Sequence, residues 1–485
     1  MYWLKFAIKW AALVAVVGCI CFAVYIGVGL SRGLDPFPRF GIRPHAVIVT
    51  QITVIDVVNG QALPDRNVSI VGQTITDIGT GGPASGAKDV TIIDGRGKYL
   101  IPGLWDAHVH TVELSDRLHF PLLRAYGVTT IRNMGDGCSW RDDLTCVPDA
   151  IYWAKSLVSQ MDLMPKIVST ASYHIEKLSS NRDADRLVSA IKKRGDNMIK
   201  IQLEDDATAT DFKAIVEAAY RNKLQVSGHL PAAVNLWDRN FDALTSIEHD
   251  TQLLPHCETT PRHSTNTNVA DQCTKLLAML AKRGTAFVPT HVASSGQDVA
   301  LLSGDVKQSG LLSYTTDLIS LAWRGYRFAH VTGSDKQDID RLRNQHRAAL
   351  ALTKKAHLAG VPVLAGTDAL DGFVLHGVSL HDELEYLVRA GLTPGDALRS
   401  ATYAPAKHFK LDRKIGQIAK GQQADLIILM HNPLADIRAT RAIHTVFAKG
   451  VMYNAKDRKR LRAFSKRQAA SHAVNARAWF AISGL

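Results

Sequence analysis

Trp105-Asp-Ala-His-Val-His110 reads as the end of a β-strand, and its two histidines decide how the rest of the chain is read. Side chains alternate along a strand, so His108 and His110 project to the same side. Two neutral imidazoles so placed can hold one divalent ion. The pair gains weight because residues of matching type recur at later candidate strand ends. They are Lys200 in Met198-Ile-Lys-Ile-Gln202, His229 in Gln225-Val-Ser-Gly-His229, His249 in Ser246-Ile-Glu-His249 and Asp368 in Ala365-Gly-Thr-Asp368. Nitrogen ligands of this kind suit zinc, with geometry and availability selecting the ion.

Working outward, strands alternate with helix-like segments after His110, the pattern of a parallel α/β sheet. Val128–Arg132, Lys166–Ser169, Ala286–His291 and Val361–Asp368 join the runs quoted above to make eight candidate strands. A (β/α)8 TIM barrel follows, with the active site at the C-terminal ends of its strands. The stretch Ser294–Gln345 is long for a barrel connection and predicts inserted helices or a lid. Short β-rich runs fill Ala46–Ile101, and β texture returns after Gly416 in Ala424–Leu429 and Thr445–Val451. The expected organisation is a membrane anchor and linker over 1–45, the first half of a small β-sandwich over 46–104 and the barrel over 105–414. The second half of the β-sandwich follows over 415–454, then a basic tail over 455–485.

Lys200 is the most telling residue in the barrel. Its neighbours Ile199 and Ile201 belong against the outer helices, which directs Lys200 inward. A buried, unpaired ammonium is costly. One resolution is uptake of CO2 to give a carbamate, an anion able to bridge two metal ions. A lysine paired with an interior carboxylate is the other. Two divalent ions in such a set stand ~3.5–4 Å apart and share a water whose pKa falls towards neutrality. By alternation Glu248 faces away from the ligand side. His174 and His291 follow strands three and seven and are candidate substrate contacts, although ordinary loop histidines fit there too. His376 and His381, in the helix after Asp368, read as structural.

The bulk numbers set the frame. The chain has 485 residues, 46% hydrophobic and 21% charged, as expected of a globular protein of more than one domain. The formal charge is +12, but much of it sits in the last 30 residues, and no nucleic-acid-binding signature accompanies it. Leu461 and Phe464 sit three apart among those charges, as in a basic amphipathic helix that is either a solvated end or a lipid contact. Trp10–Leu30 is a 21-residue run without a charge, long enough to cross a bilayer and longer than the apolar core of a cleaved signal. Four cysteines outside this run form two short-range pairs in loop-like stretches, Cys138/Cys146 and Cys257/Cys273, which read as disulfides. Together these predict a membrane-anchored protein whose catalytic domain lies outside the cytoplasm, periplasmic if the source is bacterial. A homo-oligomer is compatible with the sequence.

The first histidine pair, the strand lysine, two later histidines and the last-strand aspartate resemble the amidohydrolase superfamily. Tyr126-Gly-Val-Thr-Thr-Ile-Arg132, Glu383-Leu-Glu-Tyr-Leu-Val-Arg-Ala-Gly-Leu-Thr-Pro394 and Gly416-Gln-Ile-Ala-Lys-Gly-Gln-Gln-Ala-Asp425 extend the resemblance from Ala46 to Asn454. Within the superfamily the chain is most similar to the imidazolonepropionase-like and prolidase-like branch, which includes enzymes with a carboxylated lysine that cleave dipeptides. The resemblance implies a split β-sandwich and two divalent ions. His108, His110 and Asp368 would hold one ion, His229 and His249 the other, and carboxylated Lys200 would bridge them. It implies attack of a metal-bound hydroxide on the carbonyl of an amide or peptide C–N bond, with Asp368 relaying the proton to the leaving nitrogen. A lactone, ester or phosphotriester substrate on the same site is an alternative. An inactive membrane-anchored scaffold is another, opposed by the complete ligand set.

Overall fold

The structure, a computed structural model, describes residues 2–80, 89–135, 162–168, 172–175, 181–196, 198–203, 208–231, 234–237, 244–258, 269–294, 308–331 and 334–483. Its strands run β1 (Ala46–Asp56), β2 (Gln61–Val71), β3 (Thr74–Gly79), β4 (Val90–Asp94) and β5 (Tyr99–Pro102), then β6 (Leu104–His110) and β7 (Val128–Gly135). They continue as β8 (Lys166–Ile167), β9 (Ser172–Ile175), β10 (Met198–Leu203), β11 (Gln225–Gly228), β12 (Leu244–Glu248) and β13 (Ala286–Val288). The last three are β14 (Leu426–Leu429), β15 (Ile443–Ala448) and β16 (Val451–Tyr453).

Both chain flanks build one eight-stranded sheet, ordered β16-β15-β14-β5-β1-β2-β3 with β4 also on β1. The join is the antiparallel pair β5–β14, in which Ile427 faces Ile101 and Ile428 faces Leu100. Period-2 alternation divides these residues between two cores. Leu100, Leu426 and Ile428 pack with Val47, Val49, Val68 and Ile70. Ile101 and Ile427 instead join Leu104, Val128 and Ile131 beneath the catalytic domain.

That domain is of the TIM-barrel type. β6, β7 and β8 form one parallel set, and β9 to β13 another. The expected third strand, Lys166–Ser169, is described as the short β8, which pairs with β7, while the separate strand β9 pairs with β10. The expected eighth strand is held by single bridges, Val363 to Phe287 and Ala369 to Val109, rather than by a regular ladder. Pro362 lacks the N–H a ladder needs, although its carbonyl accepts from Phe287 N at 2.8 Å. The outward residues Ile199, Ile201, Val226, Ile247 and Phe287 are fully buried against the surrounding helices. Slipping β10 by one residue would turn Ile199 and Ile201 into the polar interior and bury the Lys200 ammonium among the apolar helices. The register that buries the isoleucines therefore fixes where Lys200 points.

The C-terminal segment departs from a solvated or lipid-bound tail. It forms helices Ala455–Ala469 and His472–Ser483, the first opened by a capping box between Asn454 and Asp457. Leu461 and Phe464 are buried, Arg458 Nε donates to Ala125 O at 2.8 Å, and Ser465 Oγ donates to Leu118 O at 2.6 Å. Its apolar stripe is thus covered by the barrel helices that follow β6. At the other end lies the helix Tyr2–Ser31, whose run Val14–Ser31 is long and apolar enough to cross a membrane and is almost uncovered by the rest of the chain. Cys257 and Cys273 are disulfide-bonded, whereas Cys138 and Cys146 lie outside the described residues.

Candidate metal centre

The C-terminal ends of the barrel strands bring four side chains onto one point. Asp368 Oδ1 lies 3.1 Å from His108 Nε2 and 2.9 Å from His110 Nε2. Lys200 Nζ lies 3.2 and 3.4 Å from the same two nitrogens. One donor atom from each of His108, His110 and Asp368 falls within a 4.8 Å group able to hold an ion. The His249 ring stacks obliquely 4.8 Å from that of His108, and the His229 ring stands edge-on to His249 at 4.9 Å. His229 and His249 thus flank the group through their rings.

Two glycines permit this approach. A Cβ on Gly228, at φ 125°, would lie 2.2 Å from the carbonyl oxygen of Ile201. Gly228 lets the chain before His229 press onto β10, where His229 N donates to Ile201 O at 2.8 Å. At Gly366 a Cβ would lie 2.8 Å from that of His108. Asp368 N donates to His108 O at 2.8 Å, so the last segment is laid directly on β6.

A buried polar layer orients the ligands. Glu248 Oε2 accepts from His108 Nδ1 at 2.8 Å and from Arg132 Nη2 at 2.6 Å, and all three side chains are fully buried. With its Nδ1–H given to Glu248, His108 presents the Nε2 lone pair to the cluster. Ser246 Oγ donates to Glu248 Oε1, while Arg132 Nη1 donates to Ser246 Oγ at 2.7 Å. His249 Nδ1 pairs with Thr290 Oγ1 at 2.8 Å and lies 3.6 Å from Asp368 Oδ2. Asp106 ties β6 to the last segment: it accepts from Thr367 N at 3.0 Å and Thr367 Oγ1 at 2.7 Å.

Burial, helped by the nearby Lys200 charge, pulls His110 down to about 4, and burial pulls His249 down to about 3, so both are neutral lone-pair donors at pH 7. Burial likewise holds His229 well below its ordinary value and lowers Lys200. Burial would raise Asp368, but His108 and His249 outweigh it and hold the carboxyl well below its usual range. Neutral imidazoles, a carboxylate and a buried amine lowered from its ordinary value make a donor set that fits divalent metal.

Two expectations at the site need revision. Glu248 points into the barrel alongside His249, because His249 lies past the strand end in the left-handed region at φ 65° and breaks the alternation. His291 is turned away from the mouth: Nδ1 bonds Asp250 Oδ2 at 2.7 Å, Nε2 bonds Thr353 Oγ1 at 2.9 Å, and the side chain is fully buried. Both of its ring nitrogens are therefore committed, leaving none for substrate. Arg132, Asp106 and Thr290 acquire roles that the strand pattern alone does not assign. Asp106 carries a signal in its two-residue spacing from His108, and Arg132 in being the one charge within a strand of otherwise uncharged residues. His174 lies on β9, opposite Gln202, with its side chain outside the described residues. His376 and His381 are internal, bonded to His110 O at 2.9 Å and to Thr440 Oγ1 at 2.9 Å.

Residues 99–453, well over half of the chain, match the amidohydrolase family. The chain belongs to that family. Among curated relatives, an adenine deaminase of Ruegeria pomeroyi is 34% identical over 396 residues, 80% of this chain and 54% of that protein. Adenine deaminase 3 of Rhizobium meliloti is 21% identical over 84% of this chain and 58% of its own length. The amidohydrolase chain thus spans little more than half of these curated relatives. Among solved structures, bottromycin amidohydrolase superposes with a TM-score of 0.69 at 24% identity, covering 93% of this chain and 97% of its own. A putative prolidase from Bifidobacterium longum gives 0.62 at 22% identity, covering 87% and 100%. A Xaa-Pro dipeptidase with methionine bound in its active site gives 0.60 at 20% identity, covering 84% and 100%. These establish a shared fold.

Proposed function

We propose that this amidohydrolase is a metal-dependent enzyme that hydrolyses an amide or peptide C–N bond in a small substrate of the dipeptide or N-acyl amino acid type. The observation that carries the reading is the convergence of Asp368 Oδ1 and Lys200 Nζ on the same two imidazole nitrogens, at 2.9–3.4 Å. His108, His110 and Asp368 would hold one ion, His229 and His249 a second, with zinc the first choice from the ligand set. When bound, the ions supply an activated water near neutral pH and polarise the scissile carbonyl.

The chain's own groups supply the rest. Lys200, buried against two imidazoles, is placed to react as the free amine with CO2, forming an N–C bond and releasing one proton to give an anionic carbamate between the ligand groups. Asp368 accepts a proton at its carboxylate and returns it to the leaving nitrogen. Glu248 and Arg132 fix the His108 ring. The apolar helix Tyr2–Ser31 and the Cys257–Cys273 bond support a membrane-anchored protein with its catalytic domain in an oxidising compartment outside the cytoplasm. A second reading, removal of the exocyclic amine of an aminopurine, is favoured by the identity to adenine deaminases.

The test combines metal analysis of the purified full chain with a hydrolysis screen over dipeptides, N-acyl amino acids, adenine, lactones and phosphotriesters. The expected result is bound divalent metal and C–N cleavage, lost severely in Asp368→Asn while much of the metal stays. Equilibration with 13C-bicarbonate should give one carbamate carbon signal that Lys200→Arg lacks. Metal-free protein, or near-normal turnover of Asp368→Asn, would remove the reading.

A further inference from the structure

The insertion before the last barrel segment carries a helix, Asp317–Val331, with two contrasting faces. Its inner face is fixed at the mouth of the centre. Trp323 is buried, its Nε1 donates to Leu370 O at 3.4 Å, and its ring lies 5.4 Å from that of Phe373. Leu370 and Phe373 belong to the loop that leaves Asp368. The outer face exposes Leu321 to 61%, Phe328 to 70% and Val331 to 41%. With exposed Arg324 these positions step by three, four and three residues, which draws one stripe along the helix.

This stripe is connected to the apolar N-terminal helix through the end of the chain. Asp317 N donates to Asn475 Oδ1 at 2.7 Å, and Asn475 is buried in the helix His472–Ser483. That helix lies along the last turns of Tyr2–Ser31. His472 Nε2 bonds Tyr25 O at 2.8 Å, Trp479 meets Phe22 edge-on at 5.4 Å, and Arg477 Nη2 donates to Arg32 O at 3.1 Å. The approach is close enough that a Cβ on Gly29 would lie 2.2 Å from that of Ala476. The C-terminal helix is therefore a bracket between the anchor and the rim of the metal centre.

We propose that helix Asp317–Val331 is an interfacial membrane-binding element, whose Leu321–Phe328–Val331 stripe seats at the lipid–water boundary beside the anchor and holds the mouth of the centre at the bilayer. The inference rests on reading Tyr2–Ser31 as membrane-spanning. A bilayer is the occupant because the stripe is bracketed to an 18-residue apolar run of which only 6% is buried. It is also a narrow apolar ribbon accompanied by Arg324 and Arg327, the pattern that seats in an interface and pairs with anionic headgroups.

The test uses the full chain, with Cys19→Ser and Cys21→Ser, reconstituted in phosphatidylcholine–phosphatidylglycerol vesicles. A nitrobenzoxadiazole probe is attached at Leu321→Cys or Phe328→Cys, and for comparison at Ile92→Cys or Tyr220→Cys, which are 62% and 71% exposed on other faces. The unlabelled background is the blank for other cysteines. Acyl-chain-brominated lipid should quench the probes at 321 and 328 several-fold more than those at 92 and 220, and Arg324→Glu should reduce that quenching. Equal quenching at all four sites, in protein that still floats with the vesicles after carbonate washing, overturns the interfacial helix and leaves the anchor standing. A blue-shifted probe that bromine does not quench assigns the stripe to a second copy or a protein partner and also overturns it. Failure of the chain to float overturns the anchor reading and the inference with it.

Discussion

Replacing Glu248 by Gln removes one charge from the fully buried His108–Glu248–Arg132 array while keeping the side chain's size. A Gln carbonyl oxygen kept at the Oε2 place still serves His108 Nδ1 and Arg132 Nη2, but its amide then faces Ser246 Oγ and the Arg132 guanidinium loses its counter-charge. Breaking a buried ion pair on one side costs about 3–5 kcal/mol, because the remaining charge stays buried without compensation. For roughly 400 folded residues the entropy of unfolding is about 0.8 kcal/mol/K, so the metal-stripped variant should melt about 4–6 °C below the parent. Looser orientation of the His108 ring should separately weaken metal binding by about 10–100-fold, the usual effect of losing a carboxylate behind a ligating histidine. Both are measurable on detergent-solubilised full chain, by thermal unfolding after chelation and by competition titration with a chromogenic chelator. Adding Arg132→Met should recover much of the melting temperature without recovering metal affinity, since it removes the stranded charge but not the slack ring. The account fails if Glu248→Gln matches the parent in both measurements, or if Arg132→Met restores metal affinity.

Three further outcomes follow from other regions of the structure. Burial holds His381 down to about 3; the unfolded chain takes up a proton below its ordinary value near 6.5 and the folded chain does not, so this stability is present above pH 6.5 and declines as pH falls towards 3. The loss is about 2 kcal/mol by pH 5, and His381→Gln should flatten the fall in melting temperature between pH 7.5 and 5 by about 2–3 °C; an unchanged slope would contradict it. Gly228→Ala places a methyl 2.2 Å from Ile201 O at φ 125°, so it should displace His229 and lower the metal content per chain, by elemental analysis, relative to the parent. Full occupancy in that variant would refute the role of the glycine. Opening the Cys257–Cys273 bond frees a loop of sequence separation 16, worth about 3 kcal/mol by loop-closure entropy; Cys257→Ser/Cys273→Ser should melt about 3–4 °C lower, and an unchanged melting temperature would show that the loop is constrained in other ways.

Residue type and spacing were enough to pick out side chains that the fold brings together, His108, His110, Lys200 and Asp368, because barrel strands put such groups at period 2 against strongly apolar neighbours. Lys200 is the clear case: Ile199 and Ile201 can satisfy their burial in only one register, and that register aims the lysine inward. The same rule misplaced Glu248, and position after a strand end did not tell where His291 turns, for a physical reason visible in the backbone. His249, Thr290 and Asp368 have φ of 65°, 49° and 60° at the ends of three neighbouring barrel segments. Each is a non-glycine residue in a region costing of order 1 kcal/mol or more to occupy, and each turns the chain just where alternation would otherwise continue. At position 249 the turn lets Glu248 and His249 both serve the centre, one behind a ligand and one beside it. At position 290 it sends His291 to Asp250 and Thr353. Periodicity sees which residues a strand carries but not where the strand ends, and the left-handed turn at that end is set by contacts made across the barrel. The C-terminal helix shows the same limit at longer range: the spacing of Leu461 and Phe464 is local, whereas the surface that covers them is built by residues more than three hundred positions earlier, including Leu118 and Ala125. Sequence pattern therefore picks out the polar groups that converge in the barrel, while tertiary contact decides which of them meet and which hold the others in place.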